Sequence, residues 1–189
     1  MIEELIRLDH QIFQFINSNL SNPIFDWLLP ILRNSRTWVP LYIIMIAYFI
    51  KQYKIKGLYL ILGLLLTVGA TDTLNSRILK NTFNRTRPCN EIGFKNGVIV
   101  RAPCGGGKSF PSSHAANHFS VALFLIVVFK SKWKWILPVG ILWAASISFS
   151  QVYVGVHFPV DIFFGMLVGI FMGLLGSNVF LKYSKNQYV

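Results

Sequence analysis

Residues 158–181 read FPVDIFFGMLVGIFMGLLGSNVFL, a mostly apolar run whose single charge, Asp161, stands near its start. A helix that crosses a bilayer needs about 20 such residues, so this run predicts a transmembrane helix. An acid at the entrance of such a helix is costly in lipid and points to a functional partner. Working outward, four more apolar runs have helical length: about Trp135–Ser150, Ser113–Phe129, Gly57–Leu79 and Thr37–Ile50. The last is short unless its flanks contribute. The expected fold is all-α, a single membrane domain over residues 1–189 whose core of about five transmembrane helices covers 37–181.

The first 33 residues differ. Ile2, Leu5, Ile6, Leu8, Ile12, Phe13, Ile16 and Leu20 recur near helical spacing, with Glu3, Glu4, Arg7 and Gln14 between them. That pattern predicts an amphipathic helix lying in the membrane interface. A second apolar piece, Pro23 to Leu32, follows a Ser-Asn-Pro turn signal and reads as another interfacial helix. The alternative makes residues 1–33 a sixth span. The early charges break any uninterrupted apolar stretch, so no cleavable signal peptide is expected.

Composition supports lipid as the solvent. The chain is 53% hydrophobic and 13% charged, with mean hydropathy +0.52; soluble domains carry about 25% charged residues. A net charge of +11 would suit nucleic acid, but the charges fall between long apolar runs, which argues against that partner. Lys51, Lys54, Lys56, Lys130, Lys132, Lys134, Lys182 and Lys185 share one side of the five-span arrangement, with no acid among them. That side is expected to be cytoplasmic. The other side, carrying the N-terminus, the loop 80–112 and the turn 151–157, then faces outward from a bacterial inner or cytoplasmic membrane.

Three polar clusters meet on this outer side. Lys80 is followed after six residues by Arg87-Pro88; Pro111-Ser112-Ser113-His114 opens the third span; Ser150-Gln151 is followed after five residues by His157, and after three more by Asp161. The chemistry reads as phosphoryl transfer, which depends on positioning and on neutralising oxygen charge. Lys80 and Arg87 are cations where helix meets water, and Arg87 can grip two phosphate oxygens. Ser112 and Ser113 precede or start a helix whose N-terminal amides favour an anion. Two histidines suit double displacement, one attacking phosphorus and one protonating the leaving oxygen. His157 is the better nucleophile because Asp161, four residues on, holds one ring nitrogen protonated if the stretch is helical. His114 is then the general acid. Singly, Lys80 and Arg87 read as snorkelling interface residues, and His114 as a cap. His118 and His114 mimic a metal pair at helical spacing, but with no third ligand evident a packing role is expected for His118. Neither metal nor cofactor is expected.

These clusters resemble the three-part signature of the type 2 phosphatidic acid phosphatase superfamily: Lys, six residues, Arg-Pro; Pro-Ser-Gly-His; and Ser-Arg, five residues, His, three residues, Asp. The resemblance covers about residues 57–175. It implies a helical core and a metal-independent phosphohistidine mechanism. In it, Lys80, Arg87, Ser112 and the Ser113 backbone bind phosphate, His114 is the acid, His157 the nucleophile and Asp161 its orienting partner. Membrane members of that family act on phosphatidate, phosphatidylglycerol phosphate, undecaprenyl diphosphate or lipid A. Two positions depart from the signature: Ser113 replaces the family Gly, and Gln151 replaces the family Arg. Gln donates hydrogen bonds without charge or a fixed fork. Arg85, Arg101 and Lys108 are the candidate substitute cations.

Both cysteines, Cys89 and Cys104, lie in the predicted outer loop, where disulfides are permitted. A bridge would pin the Arg87-Pro88 end against Gly105-Gly106-Gly107; two free thiols are the alternative. The reading that emerges is a lipid phosphatase with a membrane lipid phosphate as partner and undecaprenyl diphosphate as the leading substrate. A lipid phosphotransferase, and a non-enzymatic membrane protein such as a transporter, are the competing classes. Polar residues gathered at helix ends, not at mid-membrane, favour an enzyme.

Overall fold

The computed structural model describes residues 2–184, mostly helical, with one long loop at 84–112 and no strand among the described residues. The elements are α1 (Ile2–Gln14), α2 (Pro23–Arg33), α3 (Val39–Tyr53), α4 (Ile55–Phe83), α5 (Ser113–Phe129), α6 (Ile136–Tyr153) and α7 (Pro159–Ser184). Lys185, one of the lysines used to orient the chain, lies outside the described residues.

The helix limits follow local chemistry. Asn22 caps α2 by accepting from the Phe25 amide at 2.9 Å, with Pro23 at the first helical position, where its missing N–H is harmless. Ser112 caps α5, its Oγ 3.5 Å from the Ala115 amide. α5 occupies the expected residues, and α6 and α7 differ from expectation by a few. α4 runs further than expected, to Phe83, by a mostly polar helical turn that follows a wider π turn at Leu74–Leu79. Such bulges often mark functional sites. Here it turns Asn75 inward, where its amide donates to the Pro111 carbonyl at 3.1 Å and Ser113 Oγ at 3.0 Å.

Helices α4, α6 and α7 are long and apolar enough to cross a membrane, and α5 is a shorter apolar helix. At 15 residues, α3 is about 22 Å long, less than the hydrocarbon thickness. Leu62, Leu65, Leu66, Leu142, Phe163 and Phe171 are exposed on the outer faces, as lipid contact requires. α5 runs through the middle of the bundle, where Phe124, Val128 and Phe129 pack with Phe49, Leu60 and Leu64. Against α7 it packs almost backbone to backbone. A Cβ on Gly165, Gly169 or Gly173 would come within 2.5, 2.3 and 2.7 Å of the carbonyls of Ser112, Ala116 and Ser120. Small residues permit this approach where lipid supplies no hydrophobic drive between helices.

The N-terminal helices are docked on the bundle. α1 exposes Leu5, Ile6, Leu8 and Ile12 but buries Asp9 and Phe13. Phe13 packs with Val152 and Phe158. The helix therefore leaves apolar side chains free on its outer face and turns one carboxylate inward, because Asp9 has a cation to meet in the bundle. Leu29 of α2 packs with Tyr153, Val154 and Val156, and Arg101 bonds Asp26 at 2.5 Å and the Asn17 and Tyr153 carbonyls at 2.8 and 3.1 Å. Cys89 and Cys104 form a disulfide with Cα atoms 6.2 Å apart.

Candidate active site

The turn between α6 and α7 carries the central residues. Gly155 adopts φ +88°, and a Cβ there would lie 2.9 Å from Val98 Cγ1 and 3.0 Å from the Ile99 carbonyl. Only glycine fits both the angle and the space. The turn folds back so that the amides of Val156 and His157 meet the Gln151 carbonyl at 3.1 and 3.3 Å. His157 thus precedes helix α7, in the turn where the sequence reading put it, so the pair does not share a helix face; Pro159 starts the helix and leaves Asp161 in its first turn. The two side chains still meet, with His157 Nδ1 3.5 Å from Asp161 Oδ2.

Asp161 is fully buried and fully engaged. Its Oδ2 accepts from the Phe158 amide at 2.8 Å and from Ser109 Oγ, and its Oδ1 accepts from Arg85 at 3.0 Å. Ser109 Oγ also lies 3.3 Å from His157 Nδ1. Arg85 reaches on to Asp9 at 2.6 Å, and Asp9 accepts from the Val160 amide at 2.9 Å. The amphipathic helix therefore braces the carboxylate behind the histidine.

The other ring nitrogen faces a cation. Arg87 Nη1 lies 3.1 Å from His157 Nε2. A guanidinium has no acceptor, so Nε2 must present its lone pair and Nδ1 must carry the proton toward Asp161 and Ser109. Burial, opposed by Asp161 and assisted by Arg87 and Lys80, lowers the His157 pKa to about 4. The ring is therefore neutral at physiological pH with a free Nε2. Arg87 is fixed by the Gly107 and Val156 carbonyls at 3.0 and 3.2 Å, and Lys80 Nζ donates to the Lys108 carbonyl at 3.1 Å.

His114 stands at the N-terminus of α5, Nε2 3.5 Å from Ser35 Oγ, within electrostatic reach of His157, Arg33 and Lys80. His118 Nδ1 meets the His114 carbonyl at 2.8 Å and its ring packs edge-on to Trp143 at 5.0 Å. The Ser112 amide donates to the Asp161 carbonyl at 2.9 Å, while Ser112 accepts from Ala115 and Ala116. The Ser113 and His114 amides thus remain as the helix-terminal donors. Ser113 Oγ turns to Asn75 and Ser76, at 3.0 and 3.1 Å.

Gln151 is fully buried, and neither its amide oxygen nor its nitrogen has a hydrogen-bond partner among the described residues. The three suggested substitute cations are committed elsewhere or exposed: Arg85 to Asp161 and Asp9, Arg101 to Asp26 and the α1–α2 connection, and Lys108 at the surface. Ser109, Asp9, Arg33 and Ser35 escaped the sequence reading. Only Ser109, two residues before Pro111, stood near a recognised cluster.

A buried histidine–carboxylate pair, faced by cations at one end of an integral-membrane helical bundle, defines the class. The chain belongs to the PAP2 superfamily, whose model matches residues 56–185. It is 35% identical over 178 residues to a lipid A 4'-phosphatase of Bacteroides thetaiotaomicron, covering 93% of this chain and 78% of that one. It is 27% identical to an undecaprenyl-diphosphatase of Sulfolobus acidocaldarius, covering 94% and 81%. The transmembrane PAP2-type phosphatidylglycerolphosphate phosphatase of Bacillus subtilis shares the fold, with TM-score 0.71 over 95% of this chain and 87% of that one, at 24% identity.

Proposed function

We propose that this protein is a lipid phosphatase that works through a phosphohistidine. The observation that carries the reading is the two-sided hold on His157, with Nδ1 beside Asp161 and Ser109 and Nε2 beside Arg87. Nε2 attacks phosphorus and the bond to the leaving oxygen breaks. His114 gives that oxygen a proton. Water then attacks the phosphohistidine, His114 takes the proton from water, and inorganic phosphate leaves. Arg87, Lys80, Ser112 and the Ser113 amide neutralise the phosphoryl oxygens, and Asp161 balances the charge on His157 while it is phosphorylated.

The similarity to a lipid A 4'-phosphatase favours a phosphate monoester on a lipid-anchored sugar, in place of the diphosphate expected from sequence; undecaprenyl diphosphate is the second candidate. An apolar groove of about 770 Å³ between α1 and the start of α7, lined by Leu5, Leu8, Ile12, Phe110, Phe163 and Phe164, suits a lipid chain beside the site. Lys132 meets Tyr53 at 3.0 Å, joining two of the lysine-rich connections at the end of the bundle away from His157. By the charge rule that end is cytoplasmic and the site faces outward.

The test is phosphate release by the purified protein in detergent with EDTA, from lipid A phosphates, undecaprenyl diphosphate, phosphatidate and phosphatidylglycerol phosphate, with His157→Ala alongside. Release that the variant abolishes, with an acid-labile phosphoryl label on the wild-type protein, is expected. Release that survives His157→Ala rules the mechanism out.

A further inference from the structure

The third cluster lacks a charge at position 151, and none of the loop cations fills the place. The end of α2 does lie at the site. Ser35 Oγ is 3.5 Å from His114 Nε2. The corner that carries it is held firmly: Trp38 Nε1 donates to the Leu32 carbonyl at 2.8 Å, and the Trp38 ring meets Trp143 edge-on at 5.6 Å. Trp143 in turn packs on His118. Leu29 and Leu32 seat the helix on Tyr153 and Val154, at the end of the helix that bears Gln151.

Within this corner, Arg33 Nε is sealed from solvent without a hydrogen-bond partner, and the side chain has no ion pair among the described residues. Burial and the neighbouring Arg87 charge both lower its pKa from the ordinary value, and its charge is felt at His114. A partly buried guanidinium beside the Arg87 cation, with no carboxylate of its own among the described residues, is costly unless an anion joins it. Asp161 does not serve, because Arg85 already occupies it.

We infer that Arg33 is a phosphate-binding residue of this site, supplying from the N-terminal helix pair the charge that Gln151 does not. This rests on the phosphatase reading and extends it: α2 becomes part of the site, not only a membrane anchor. The headgroup would be gripped by Arg33, Arg87 and Lys80 together, which suits a dianionic phosphate monoester.

The experiment measures binding of inorganic phosphate to the full-length protein in detergent by calorimetric titration, for wild type, Arg33→Gln, Arg33→Lys and the double variant Arg33→Gln/Gln151→Arg. Arg33→Gln is expected to weaken binding roughly 10- to 100-fold, the range for one charged hydrogen bond. Arg33→Lys should lose less, and the double variant should recover most of the loss. Thermal unfolding without phosphate should be unchanged. Phosphate affinity in Arg33→Gln within about twofold of wild type overturns the assignment. So does a lowered unfolding temperature with Lys no better than Gln, which would mean a structural role. Arg33-dependent phosphate binding without release from any lipid would sink the enzymatic reading alone; lipid hydrolysis with Arg33-independent binding would sink this one alone.

Discussion

Arg87 Nη1 sits 3.1 Å from Nε2 of His157, so a group that can only donate faces the nitrogen proposed to attack phosphorus. The ring is held neutral, with its pKa depressed from 6.5 to about 4. Because the folded value is lowered, the lone pair is present above pH 4 and is lost as pH falls through it. Titration of the ring ¹⁵N shifts in the detergent-solubilised protein, assigned with His157→Gln, should give a midpoint near 4. A midpoint near the ordinary histidine value would contradict the burial that sets it.

Ser109 Oγ lies within hydrogen-bonding distance of both His157 Nδ1 and Asp161. Asp161→Asn should lower kcat by about 100-fold or more, since an amide can favour the wrong tautomer of the ring. Ser109→Ala should cost roughly 10-fold through looser positioning. Initial rates on the preferred lipid check both. An unchanged rate in Ser109→Ala would reduce that serine to a packing residue.

Asp9 is buried and ties Arg85 to α7. Removing one member of such a pair strands the other. Asp9→Asn should therefore destabilise the protein by about 2 kcal/mol, discounted from the fully buried case because Arg85 is partly exposed. It should also slow turnover by loosening Asp161. A double-mutant cycle with Arg85→Gln, read by thermal unfolding, should return a coupling of the same sign and order; additive effects would deny the brace.

Gly169 has no room for a side chain, with a Cβ only 2.3 Å from the Ala116 carbonyl. Gly169→Val should force α5 and α7 apart and cost at least about 1–3 kcal/mol. Gly106 has nothing within 4 Å of its Cβ position, so Gly106→Ala should leave the unfolding temperature unchanged. Equal effects at the two sites would argue against the close helix contact.

The disulfide closes a 15-residue separation between Cys89 and Cys104. Cys89→Ser/Cys104→Ser should lower stability by about 3 kcal/mol in the chain-entropy account. Arg87 stands two residues before Cys89, so the substrate KM should rise as well. An unchanged KM would show that the Gly107 and Val156 carbonyls alone hold the guanidinium.

The apolar runs were legible because each residue's preference for lipid or protein is local. α5 matched its expected limits because a stretch without Asp, Glu, Lys or Arg, strongly apolar from Val121 on, lies between a serine cap and Lys130. The three polar clusters could be assigned to one end because alternate helices return the chain there. α4 ran past its expected end because its last turn, Lys80–Phe83, is mostly polar and leaves no mark in hydropathy.

What the sequence by itself determined was the helical membrane architecture, the shared face of the clusters and the pairing of His157 with Asp161. Only the tertiary structure decided which polar groups complete the site. Arg85 meets Asp9 across 76 residues, and Ser35 meets His114 across 79. No local period encodes such pairings. They depend on how closely separate helices pack, and a buried polar group takes whichever partner that packing brings within about 3 Å.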